Sequence, residues 1–253
     1  MSFEVAAQSY DRFMGRFSVP LAERFAAFAA PPPGALLDVG CGPGALTAVL
    51  ARRAGEEQLS GVDPSESFAA AASARFPLAD IRRASAEALP FADAVFSATL
   101  AQLVVHFMAD ADAGAREMLR VTRPGGVVAA CVWDFAGGRA PQSLFFSALA
   151  DVVDDVEDES HRVGAHRGDL RALLEKAGCG EVTEAELSVQ VPIAGFDDWW
   201  EPYTLGVAPA GRQLAALSPA DRERVRAAAR PLVPDGHFSV TATAWAARGL
   251  RPA

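Results

Sequence analysis

Short apolar runs alternate with amphipathic stretches through residues 35–134, the pattern of strands and helices taken in turn. Ala35–Val39 predicts a first strand and Ala45–Arg53 its helix. Leu59–Val62 predicts the second strand, followed by an Ala-rich helix near Glu66–Arg75. A third strand is expected near Ile81–Ala84 and a fourth over Ala94–Leu100. Ala113–Val121 reads as a helix closed by Arg123-Pro124-Gly125-Gly126, and Val127–Trp133 as an almost wholly apolar fifth strand. Runs that are apolar on both faces are characteristic of parallel strands under helices.

The flanks differ. Leu21, Phe25 and Phe28 recur at helical spacing ahead of the first strand, and Pro31-Pro32-Pro33-Gly34 ends that segment. Residues 1–34 therefore read as a helical arm or cap, and 35–253 as a single α/β domain. Residues 139–167 read as helical and acidic, with the run Asp151–Glu159 as a solvated helix face, and this insertion is the expected substrate lid. Asp169–Ala177 predicts a helix stopped by Gly178. Glu181–Val191 alternates as a long strand, Phe196–Tyr203 is aromatic-rich, Asp221–Ala229 is a helix capped by Ser218 and Pro219, and Phe238–Ala246 is the last strand.

Composition narrows the class. Of 253 residues, 51% are apolar and 22% charged, enough for a substantial core. The net charge of −9 repels a phosphate backbone, so nucleic acid is not the expected partner. Cys41, Cys131 and Cys179 are far apart and form no CxxC, which leaves neither a zinc site nor a disulfide framework and points to a reducing cytoplasm. Glu4 and the lack of a long apolar run argue against a secretion signal, and no stretch reaches the ~20 apolar residues of a membrane span.

The densest chemical signal is LLDVGCGPG, residues 36–44. An apolar run ends in Asp38 and turns through Gly40, Gly42 and Gly44, as a strand entering a ligand-binding turn does. A second apolar run ends in GVDPS, residues 61–65, placing Asp63 where a ribose-binding acid would sit. The bland reading of Asp63 is a helix N-cap. The turn satisfies the dinucleotide pattern G-x-G-x-x-G/A. Asp38, however, suits a ligand ammonium and is awkward for a pyrophosphate. The pair implies an adenine nucleoside cofactor and favours S-adenosylmethionine over NAD.

LLDVGCGPG resembles the first motif of class I S-adenosylmethionine-dependent methyltransferases, and GVDPS their second. SAEALPFADAVFSA (85–98) and EMLRVTRPGGVVAACVWD (117–134) resemble later segments of the quinone-pathway and type 11 enzymes, and YDRFMGRFS (10–18) their cofactor-covering arm. The resemblance implies a Rossmann-like seven-stranded sheet, mostly parallel, with helices on both faces, order 3-2-1-4-5-7-6 and an antiparallel seventh strand. It implies that Asp38 holds the methionine ammonium and that Gly40, Gly42 and Gly44 line the methionine and ribose. Asp63 would take the ribose hydroxyls. Pro64, Ser65, Ala86 and Glu87 would border the adenine, Leu103 the ribose and methionine end, and Tyr10 would pack over the cofactor. The family often has Asp where this chain has Ser85, a weaker acceptor.

The implied activity is methyl transfer to a small, largely apolar metabolite at oxygen, carbon or nitrogen, with S-adenosylhomocysteine as product. His106 is the leading catalytic candidate, from its place after the fourth strand; its bland alternative is a surface histidine. Gln102, Trp133, Asp134, Trp199, Trp200 and Tyr203 are substrate-pocket candidates, although the last three equally suit a satellite core or a dimer face. No metal cluster is visible, and a homodimer is compatible with the aromatics. The rival classes are a nicotinamide-dependent oxidoreductase and a non-catalytic cofactor-binding scaffold or sensor.

Overall fold

A computed structural model describes residues 7–253. Its centre is a seven-stranded sheet of β1 (Leu36–Val39), β2 (Leu59–Asp63), β3 (Asp80–Arg83), β4 (Phe96–Gln102), β5 (Thr122–Trp133), β6 (Gly180–Ile193) and β7 (Phe238–Leu250). The order is β3-β2-β1-β4-β5-β7-β6. Strands β1 to β5 pair in parallel, and β7 runs antiparallel between β5 and β6. An antiparallel strand wedged at this place separates the fold from the dinucleotide order 3-2-1-4-5-6. β4 is buried along its whole length, as its apolar run requires.

The helices are α1 (Ala7–Tyr10), α2 (Arg16–Ala29), α3 (Ala45–Ala54), α4 (Glu66–Arg75), α5 (Ala111–Val121), α6 (Ser143–Ala150), α7 (Asp169–Ala177), α8 (Phe196–Trp200), α9 (Ala208–Ala216) and α10 (Pro219–Ala229). Helices cover both faces of the sheet: α2 and α3 lie side by side on one, α5 and α7 on the other. A π-helical turn, Asp11–Gly15, joins α1 to α2. Its extra residue re-aims the chain ahead of a helix whose Leu21, Ala22, Phe25 and Ala26 are fully buried. The predicted apolar stripe thus belongs to the main core, with Phe28 only partly buried. Arg16 fixes the arm to α8 through a two-pronged pair with Asp198, at 3.0 and 2.9 Å.

Two expectations are corrected. Residues 139–167 hold one helix, α6, and the acidic run that follows is irregular. Carboxylates crowd at positions three and four apart there, next to the negative end of α6, and both effects oppose helix. Arg123-Pro124-Gly125-Gly126 is no mere helix stop: it forms a bulge within β5, with Thr122 opposite Phe96 and Val127 opposite Ala98. α8 and α9 were not legible as separate helices. Among the described residues no helix is long and apolar enough to cross a membrane.

Removing the Phe25 ring tests whether the arm is part of the core. Phe25→Ala should cost about 3–5 kcal/mol, read as a lowered urea midpoint. A loss below about 1 kcal/mol would mean the arm folds separately.

Candidate active site

The carboxyl ends of β1, β2 and β4 open into one cleft. It is lined by Tyr10, Gly40, Gly42, Asp63, Pro64, Phe68, Ala84 to Glu87, Gln102 to Val104, Phe107 and Met108. Gly40 and Gly42 adopt left-handed backbone, at φ +67° and +53°. Their reasons differ. A Cβ on Gly40 would sit 2.3 Å from a Val104 methyl, whereas one on Gly42 would meet nothing within 4 Å. Gly40 answers to packing; Gly42 leaves open space for a ligand's close approach.

Asp63 is the best-defined group in the wall. Its Oδ2 accepts from Gly42 N–H at 2.8 Å and its Oδ1 from Ser65 N–H at 2.9 Å. Each oxygen keeps a lone pair, so the carboxylate can accept two hydroxyls at once. Burial raises its pKa, and the two backbone bonds oppose that rise. The N-cap of α4 is Ser65, whose Oγ accepts from Phe68 N–H at 3.3 Å. Asp63 is therefore not the cap, and Ser65 is buried behind the wall rather than bordering the cleft.

Asp38 and Gly44 also stand behind the lining. Asp38 is buried, and Thr47 Oγ1 donates to its Oδ2 at 2.7 Å, drawing it towards α3. Burial, then the nearby charge of Asp63, pushes its carboxyl up to about 7 against the pull of Thr47. A Cβ on Gly44 would lie 2.5 Å from the Phe76 ring, so this glycine serves packing. Leu103 lines the cleft at φ +60°, a strained backbone for a side-chain-bearing residue, held by its N–H to the Cys131 carbonyl at 2.8 Å. Ala86 is buried against the cleft. Glu87 Oε1 caps the 109–110 backbone, accepting at 2.8 and 3.3 Å, while Ser85 donates its hydroxyl proton to Glu87. Burial acts to raise the Glu87 carboxyl, but these hydrogen bonds outweigh it and lower it.

Tyr10 packs edge-on against Phe68 with ring centres 5.3 Å apart. Burial, then the charges of Asp63 and Asp11, raise its phenol, which stays protonated. With this ring in the wall the cleft holds about 150 Å³, below the ~300–1,000 Å³ usual for small-molecule sites.

His106 is buried, not a surface histidine, and faces a second cavity of about 30 Å³. That cavity shares Tyr10, Leu103 and Phe107 with the cleft and adds Phe13, Met14, Trp133, Phe135, Gln142, Glu159 and Ala208. Burial and then the Arg162 charge push the imidazole down to about 3, so it is neutral at physiological pH. Gln102 reaches the cleft while its Nε2 donates to the Ser18 carbonyl at 3.0 Å. Trp133 lines the small cavity, its Nε1 donating to Met14 Sδ at 3.3 Å.

The remaining candidates lie elsewhere. Asp134 clasps Arg139 and accepts from Gly137 N–H at 2.9 Å, closing the segment after β5. Tyr203 stacks on Phe145 with ring centres 4.2 Å apart, and Trp200 stacks on Phe196. Trp199 and Tyr203 line a third cavity of about 20 Å³ beneath the arm. These aromatics belong to the main core, where they secure α8 and the arm, and none of them lines the cleft. Sequence reasoning missed Thr47, Phe68, Val104, Phe107 and Met108, and it missed Gln142 and Glu159 altogether. Phe68 carried a signal, as the aromatic in the first turn of the Ala-rich helix that follows GVDPS.

A family model described as a methyltransferase domain matches residues 37–130. The malonyl-[acyl-carrier protein] O-methyltransferase of Erwinia billingiae is 34% identical over 128 residues, 50% of this chain and 50% of that protein. Among the curated relatives matched, this chain spans 28% to 50% of their length. A putative methyltransferase from Bacillus halodurans superposes with TM-score 0.59 at 17% identity, covering 92% of this chain and 99% of that one. The Streptomyces coelicolor geranyl diphosphate C-methyltransferase, solved with Mg²⁺, geranyl diphosphate and S-adenosylhomocysteine, gives 0.56 at 16% identity, over 93% and 80%.

Asp38 supplies a pH test. It is protonated in both folded and unfolded chains below its ordinary value of 3.8, so the penalty for burying its charge is absent there. As pH climbs towards about 7 the fold retains a proton that the unfolded chain has released, and stability falls. Asp38→Asn removes that titration and keeps an acceptor for Thr47. In urea unfolding from about pH 4 to 8, the wild type should lose stability relative to the variant. Parallel curves would contradict a raised Asp38.

Proposed function

We propose that this chain, which carries a domain of the class I S-adenosylmethionine-dependent methyltransferases, transfers a methyl group from that cofactor to a small, largely apolar metabolite. The observation that carries the reading is Asp63 at the tip of β2, its two oxygens oriented by Gly42 and Ser65 N–H beside an open glycine.

The residues fit the group. Asp63 would accept both ribose hydroxyls, and Gly42 would let the backbone approach the sugar. Pro64, Phe68, Ala86 and Met108 offer an apolar slot to the adenine, with Ser85 at its edge. The Ser85 oxygen also accepts from Glu87 N–H at 3.2 Å, so one lone pair is left for a base. Asp38 would answer the methionine ammonium from behind the turn, where a positive ligand would draw its raised carboxyl back to the charged form. Tyr10 must yield as the nucleoside enters, and its return would help exclude water.

When bound, S-adenosylmethionine would supply an electrophilic sulfonium methyl for an acceptor lone pair and would leave as the neutral thioether S-adenosylhomocysteine. The protein's task is alignment and dryness. The apolar walls around Leu103, Phe107 and Trp133 support both.

Melting shifts with S-adenosylmethionine, S-adenosylhomocysteine and NAD test the assignment. The first two should stabilise the chain and NAD should not; stabilisation by NAD alone would overturn the reading. Asp63→Asn should weaken S-adenosylhomocysteine about 10- to 100-fold in calorimetry, because it spoils two paired acceptors. Unchanged affinity would misplace the ribose. Tight binding with no product across a broad metabolite panel would favour a sensor.

A further inference from the structure

We propose that the small cavity beside the cofactor cleft is the acceptor site and binds the ammonium group of an amine, received by Glu159, Gln142 and His106. The proposal deepens the methyl-transfer reading and rests on it. Its geometry stands independently.

The three side chains are 3%, 2% and 6% exposed. No well-formed hydrogen bond reaches either oxygen of Glu159, Oε1 of Gln142 or Nδ1 of His106, although the Gln142 side chain lies close enough to Glu159 to lower its carboxyl. Glu159 Oε1 lies 3.8 Å from His106 Nε2, too far for a hydrogen bond. A glutamate this deep is ordinarily paired, and leaving a polar group orphaned is costly. Glu159 also sits at φ +66°, a strained backbone for a residue with a side chain. Several costs thus coincide on one carboxylate beside the cofactor cleft.

The orphaned atoms state what is missing. Carboxylate oxygens and the Gln142 oxygen only accept, and the neutral imidazole can accept at Nδ1. The occupant must therefore bring donors. A water brings two and no charge. An ammonium brings three and the charge opposite to Glu159. The rings of Phe107, Trp133 and Phe135 line the same space and favour a cation over a neutral head group. At about 30 Å³ the cavity admits a head of only a few heavy atoms. It shares Tyr10, Leu103 and Phe107 with the cleft, so a nitrogen held here borders the cofactor.

A protonated amine has no lone pair to offer, so one proton must leave before it can act as an acceptor. The step is R–NH₃⁺ plus the Glu159 carboxylate giving R–NH₂ plus the Glu159 carboxylic acid. Burial, helped by the Glu157 charge, pushes Glu159 up to about 7 against the charge of Arg162, the nearby Gln142 side chain and the charge of Arg212, which is near the range a general base needs.

The test uses the whole chain saturated with S-adenosylhomocysteine, with calorimetric binding of propylamine and benzylamine against 1-propanol and benzyl alcohol. Each amine should bind at least about 10-fold tighter than its alcohol. Glu159→Gln, which keeps the shape and removes the charge, should abolish that preference and leave S-adenosylhomocysteine affinity unchanged. Equal binding of amines and alcohols would overturn the proposal and leave a water-filled cavity. A preference that survives Glu159→Gln would overturn it too, as would no amine binding to a protein that holds S-adenosylhomocysteine. Amine preference in a chain that fails to bind S-adenosylhomocysteine would support the cation site and overturn the methyl-transfer reading instead.

Discussion

The carboxylate of Asp63 ties the glycine turn to the neighbouring strand. Gly42 N–H reaches it across the sheet and Ser65 N–H reaches it from the start of α4, so one side chain positions two loops. Neither donor belongs to a strand ladder. Without the carboxylate both would need another partner in a half-buried wall, where unpaired N–H groups are expensive. The glycine turn, the start of α4 and the cleft-facing oxygens are thus held by one clasp. Its position at the strands' carboxyl edge explains why the cleft opens there.

Around that clasp the structure divides its polar groups into two kinds. Asp134, Glu87 and Asp198 are satisfied by arginines, serines and backbone, and they secure loops. Glu159, Gln142 and His106 are buried with orphaned atoms. The first kind is structural because every partner lies within the chain. The second kind lines the small cavity, which shares Leu103 and Phe107 with the cleft. A strained Leu103 at this boundary and a strained Glu159 in the far wall fit that division, since unfavourable backbone persists where surroundings over-determine it.

The arm completes the enclosure. α2 is core material, yet Tyr10, a few residues earlier, is cleft wall. The π-helical turn between them lets one continuous segment change from structural packing to ligand cover. Arg75 supports this placement by reaching both the Pro43 carbonyl, at 2.9 Å, and Asp11, at 3.2 Å.

Local pattern alone determined the parallel half of the sheet, the glycine turn and Asp63. An apolar strand, a left-handed turn and an acid-tipped neighbour follow from backbone sterics and solvent exclusion within short windows. The antiparallel insertion of β7 between β5 and β6 came from resemblance, because no residue in β7 encodes which strand it will meet. Only the tertiary structure could bury His106 and Glu159 together. Glu159 stands in a run of acids that reads as solvated, and its burial depends on irregular chain folding back over β4 and β5. Side-chain burial is a property of what packs against a residue from far along the sequence, and that information is absent from its neighbours. The same cause explains why Thr47 beside Asp38 and Phe76 beside Gly44 could not be read from the motif.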